Sequence, residues 1–172
     1  MTRSKIRYGL AILIGLAGLA LADVKTDYDH KADFGRYHTY SWIGVKAGNS
    51  LWEDRIRGAV DSELAAKGWT KVASGGDAAI SAFGRVTERD TMQTFYDGFP
   101  GWGWRGWGTS TTTVIPEAVG NLVVDVFDGQ TKKLIFRGTA SETLSSKPDK
   151  NDKKLENAVD DMFKHFPPQS RG

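Results

Sequence analysis

The chain has 172 residues, 40% of them apolar and 26% charged, an ordinary balance for a globular protein with one domain and a substantial core. It contains no cysteine, which excludes disulfides, thiol nucleophiles, thiolate metal sites and an acylated N-terminal cysteine. The formal charge of +2 comes from the N-terminus: residues 1–22 carry three basic residues and no acid, and without them 20 Lys and Arg face 21 Asp and Glu, a charge of −1. No nucleic-acid partner is therefore expected.

Arg3, Lys5 and Arg7 precede an uncharged apolar run from Tyr8 to Ala22 that closes on Ala20-Leu21-Ala22. This is the pattern of a secretory signal peptide with an A-x-A cleavage site. The run is shorter than the ~20 residues that span a bilayer, and Gly15 and Gly18 interrupt it. Cleavage after Ala22 is expected. It leaves one domain over residues 23–172, exported to the bacterial periplasm and not transmembrane after processing.

Val24, Thr26 and Tyr28 alternate, as do the residues from Tyr37 to Trp42, and both stretches read as strands joined by a turn through Lys31 to Arg36. Ser50 with Glu53 three positions on predicts a helix N-terminus, and Gly68 its end. Between them Trp52, Ile56, Ala59, Val60 and Leu64 share one face at helical spacing. Strands are predicted over about 78–87, in "TSTTTVI", in "VGNLVVDVFD" and in "KKLIFRGTASETL", the last two joined across Asp128-Gly129. The alternation of Leu122, Val124 and Val126 with Val123 and Phe127 suggests an interior strand covered on more than one side. A final helix from about Asn151 to His165 carries Leu155, Val159, Met162, Phe163 and Phe166 on one stripe and stops at Pro167-Pro168. These elements predict an α+β fold: a two-layer sandwich, with a mostly antiparallel sheet of about six strands and two helices packed on one face.

Chemistry is harder to find. The G-x-S-x-G and nucleotide-binding glycine patterns are both missing. Asp27, Asp29, His30 and Asp33 lie within seven residues, but no second ligand cluster matches them, and they read as a strand end and turn. His38 falls in a strand and His165 at a helix C-terminus, where a cation suits the helix dipole. Asp97 precedes a glycine, as turn residues do. No catalytic residue, metal or cofactor is expected.

The sharp feature is "FPGWGWRGWG" at 99–108, read as the loop of a hairpin. Tyr96, Phe99, Trp102, Trp104, Arg105 and Trp107 form an aromatic group too large to stand bare in water. Flat rings with an arginine suit a sugar face, a peptide or a protein surface, so these six residues are the candidate binding site for a cell-envelope glycan or protein partner. The alternative is a purely structural domain whose loop lies back on its own sheet, where glycines allow close approach. A hydrolase is the less favoured third.

Taken together, "DYDHKADFGRYHTYSW", "WEDRIRGAVDSELAAKGW", "TFYDGF" with the glycine-tryptophan run, "GNLVVDVFD", "TKKLIFRGTAS" and "FKHFPP" resemble the bacterial domain of unknown function 4136 from about Val24 to Pro168. The resemblance implies an α+β envelope protein, often a lipoprotein, with no established activity. The missing cysteine departs from the lipoprotein pattern and implies a form that is not lipid-anchored.

Overall fold

The computed structural model describes residues 22–96 and 110–168, with backbone alone for 92–96 and 110–113. In chain order it contains β1 (Asp23–Tyr28), a 3-10 turn (Phe34–Arg36), β2 (Thr39–Lys46), α1 (Ser50–Ala66), β3 (Thr70–Lys71), β4 (Ala78–Tyr96), β5 (Ser110–Asp128), β6 (Leu134–Thr143) and α2 (Pro148–Phe163). The strands form one six-stranded sheet in the order β1-β6-β5-β4-β2-β3. Both helices pack on one face of it, α1 against β2, β3 and β4, and α2 against β6 and β1. The fold is the predicted two-layer α+β sandwich.

Four details differ from the sequence expectation. The sheet is mixed, because β2 runs parallel to both β3 and β4. Parallel neighbours need a crossover, and α1 supplies it between β2 and its two partners. The two strands expected on either side of Pro116 are one strand, β5, paired residue by residue with β4 from Ala78↔Asp128 to Tyr96↔Ser110. The sixth strand is instead the two-residue β3, whose exposed residues carry no pattern. β5 lies inside the sheet, but only one of its faces is covered: Leu122, Val124 and Val126 are buried, while Val123 and Phe127 are half-exposed.

The fourth difference is the start of α1. Asn49, not Ser50, is the N-cap: its backbone is extended, and its side-chain oxygen accepts the Trp52 N–H at 3.1 Å. Glu53 reaches back beyond the cap to accept the Ala47 N–H at 3.2 Å. The helix ends as predicted at Gly68, with φ +83°; the N–H groups of Gly68 and Trp69 donate to Ala65 and Leu64 C=O at 2.9 Å.

The buried layer between helices and sheet is uneven. At one end Phe34, Tyr37, Trp69, Phe136, Phe163 and Phe166 form an aromatic cluster, in which Phe166 lies 5.0–5.7 Å from the rings of Phe136, Phe163, Trp69 and Phe34. At the other end, toward the first turns of both helices, the sheet offers Gly84, Gly120 and Ala140. Between these ends Gly138 lets α2 settle on β6: a Cβ there would stand 2.9 Å from Met162 Sδ.

Candidate functional site

β4 and β5 outrun the sheet that holds them. β2 leaves β4 after the Lys46↔Phe83 pair, and β6 leaves β5 at Val119↔Thr143, with one last bond from Leu144 N–H to Ala118 C=O at 2.7 Å. From Arg89↔Glu117 to Tyr96↔Ser110 the two strands have only each other among the described residues. At about 3.4 Å per residue this ribbon is roughly 27 Å long. Thr91 Oγ1 donates to Glu117 Oε2 across it at 3.1 Å, and Val114 and Ile115 are exposed on it. An isolated two-stranded ribbon is at best marginally stable in water. Its unpaired edges invite a partner.

The candidate residues begin where β4 ends. Tyr96 is the last residue of β4, and its backbone pairs with Ser110. Its side chain, together with Phe99, Trp102, Trp104, Arg105, Trp107 and the turn candidate Asp97, lies outside the described residues.

The other polar candidates are held in structural bonds. Asp27, Asp29 and Asp33 each accept a nearby backbone N–H, from Tyr28, Lys31 and Gly35 at 2.8–3.1 Å, and the His30 ring lies 4.4 Å from the Tyr28 ring. No group of three His, Cys, Asp or Glu able to hold a metal occurs among the described residues.

Three other aspartates prove to be staples. Asp128 is buried at the end of β5 and accepts from the N–H groups of Thr131 and Gln130 at 2.7 and 2.9 Å, the Tyr37 hydroxyl at 2.9 Å and Arg36 Nη2 at 3.2 Å. The Thr131 N–H leads in holding its pKa down at about 2, against the opposing effect of burial. Tyr37 is pushed up to about 12, first by burial and then by the bond to Asp128. The hairpin expected at Asp128-Gly129 is therefore real but longer, with Lys132 in the left-handed conformation at φ 61°.

Asp61 on α1 accepts from Tyr40 at 2.8 Å, Trp42 Nε1 at 2.7 Å and Lys71 Nζ at 2.7 Å. Burial opposes its charge, but the bonds from Lys71, Trp42 and Tyr40 outweigh it and lower the pKa. Asp77 accepts the His38 and Thr39 N–H groups at 3.1 and 2.9 Å, and the His38 bond leads in lowering its pKa. Each carboxylate joins elements distant in sequence.

The fold is thus an α+β sandwich in which β4 and β5 run on together beyond the other strands, and it has known counterparts. The model of the domain of unknown function 4136 matches residues 24–168, and the chain belongs to this family. No curated protein matches the chain. Among solved structures it is similar to a PDZ domain protein from Parabacteroides distasonis, at 16% identity and a TM-score of 0.61 over 88% of this chain. It spans 36% of that protein, about a third of its length. It is also similar to the PelC dodecamer from Paraburkholderia phytofirmans, at 13% identity and a TM-score of 0.52 over 88% of this chain and 100% of that one. Among the described residues no helix is long and apolar enough to cross a membrane.

Proposed function

We propose that this is a non-enzymatic protein of the bacterial cell envelope, exported to the periplasm, whose glycine- and tryptophan-rich hairpin tip is an interaction surface for a glycan, peptide or protein partner. The observation that carries the reading is the ribbon. A two-stranded arm beyond the reach of β2 and β6, bearing exposed Val114 and Ile115, leads straight into the segment with Trp102, Trp104 and Trp107. Thirteen residues join Tyr96 to Ser110.

One observation favours the alternative of a structural loop that covers its own sheet. Phe83 is 51% exposed on the helix-free face, beside half-exposed Val123. The two readings separate in a binding experiment. The purified protein should sediment with isolated peptidoglycan or be retained by envelope proteins under mild cross-linking, and the Trp102→Ala, Trp104→Ala, Trp107→Ala variant should not. Equal retention of both proteins would remove the tip from the interaction.

A further inference from the structure

We propose that the cavity between the first turns of α1 and α2 and the sheet is a binding site for the acyl tail of an amphiphile, a site separate from the aromatic hairpin and independent of its role. The cavity has a volume of about 240 Å³. That is room for roughly eight groups the size of a water molecule, each taking about 30 Å³.

Its floor is smooth because β4 and β5 contribute Gly84 and Gly120 and β6 contributes Ala140, where the same strands further along contribute Ile80, Val124 and Phe136. Neither glycine is replaceable at no cost: a Cβ would stand 2.9 Å from Ile56 Cδ1 at Gly84 and 3.0 Å from Leu144 Cδ2 at Gly120. Ile56 and Leu144 thus pack directly on the backbone at the two glycines and form walls of the space. Leu155 of α2 completes the apolar lining, and Trp52 and the 60% exposed Val86 stand on the solvent side. Protein interiors leave few voids larger than a water molecule, and side chains around a void lack the contacts that an occupant would restore.

The chemistry of the occupant follows from the polar groups that border the space: apart from Arg85 at β4, the side chains of Asn49, Asn121, Asn151 and Lys154 already have partners. Asn49 caps α1 through Trp52. Asn121 Nδ2 donates to Thr87 Oγ1 at 3.0 Å. Asn151 holds the N–H and C=O of Ser145 at 2.7 and 2.8 Å. Lys154 Nζ is paired with Glu142 Oε1 at 2.6 Å and Thr143 C=O at 2.7 Å. A buried polar ligand would find these groups occupied and would lose its own hydration. A hydrocarbon tail loses nothing by entering, and the open side leaves its polar end in water.

The test uses two amphiphiles that share an eight-carbon tail and differ in head group, octanoate and octyl maltoside, titrated calorimetrically below their micelle concentrations. Both should bind once per chain, with a negative heat-capacity change from apolar burial. Ala140→Leu and Ala47→Leu place a side chain into the cavity from the sheet and from the segment before α1. Each should weaken both ligands at least tenfold while the thermal midpoint is kept or raised, so lost binding is not lost folding. Phe83→Ser, on the opposite face, should leave binding unchanged. No saturable binding of either amphiphile overturns the proposal, as does binding of octanoate alone, which would be recognition of its carboxylate by Arg85. Undiminished affinity in both filled variants also overturns it, and so does equal loss in Phe83→Ser.

Discussion

The hydroxyl of Tyr37 donates to Asp128 Oδ2 at 2.9 Å, joining the chain before β2 to the end of β5 across 91 residues. Both groups are buried, and the bond ties the aromatic end of the core to the β5–β6 hairpin. Asp128 has a folded pKa of about 2, below the roughly 3.9 of an unfolded aspartate, so its contribution is present above about pH 4 and is lost as pH falls through 2. Tyr37 has the opposite sign: with its pKa raised to about 12, its contribution is full below about pH 10 and is lost as pH rises through 12. Tyr37→Phe should destabilise the domain by about 1–3 kcal/mol near neutral pH, since a buried carboxylate loses a donor. Urea unfolding between pH 2 and 7 should also show a shallower acid loss in the variant. An unchanged midpoint and acid profile would mean that the bond contributes nothing.

Asn49→Ala should cost about 0.5–2 kcal/mol, because the Trp52 N–H loses its acceptor. Ser50→Ala, one residue inside the helix, should stay within about 0.5 kcal/mol. Chemical denaturation of the two variants side by side checks the position of the cap. A larger effect at Ser50 would return the cap to the residue the sequence pattern favours.

Gly138→Ala should destabilise by about 1–3 kcal/mol through overpacking, because the added methyl would press on Met162 Sδ at 2.9 Å and Cγ at 3.1 Å. Met162 is itself almost fully buried and has little room to move aside. Gly48→Ala meets nothing within 4 Å and serves as the control. Equal thermal midpoints for the two variants would show that α2 does not rest on β6 as described.

How far the sequence reveals this molecule depends on whether a signal is local. The apolar faces of α1 and α2 and the alternation of β1 and β5 are periodic within one element and were legible. The cap was misplaced by one residue because Asn49 and Ser50 are both good caps and Glu53 stands at capping-box distance from the second. Pro116 divided β5 on paper but not in space: beyond Val119 that strand has lost β6 and is an edge, where proline is tolerated. β3 consists of Thr70 and Lys71, exposed and without pattern, and the parallel order around β2 follows from the α1 crossover. Asp128, Asp61 and Asp77 gave no sign of being shared acceptors, since their partners lie up to 91 residues away. The glycine floor left one faint trace, Gly84 and Gly120 inside otherwise ordinary strands, which can mark close approach or a ligand. The aromatic tip stood out by composition alone.

On the proposed function the segment with Trp102, Trp104 and Trp107 faces a partner and not the core of its own domain, and the thermal midpoint of the Trp102→Ala, Trp104→Ala, Trp107→Ala variant decides between the two. Surface changes usually stay within about 0.5 kcal/mol each, so a midpoint within roughly 5 °C of the unaltered protein is the expected result. Rings buried against the sheet would each cost about 3–5 kcal/mol on removal. A midpoint lowered by tens of degrees would contradict the account and make the hairpin part of the core.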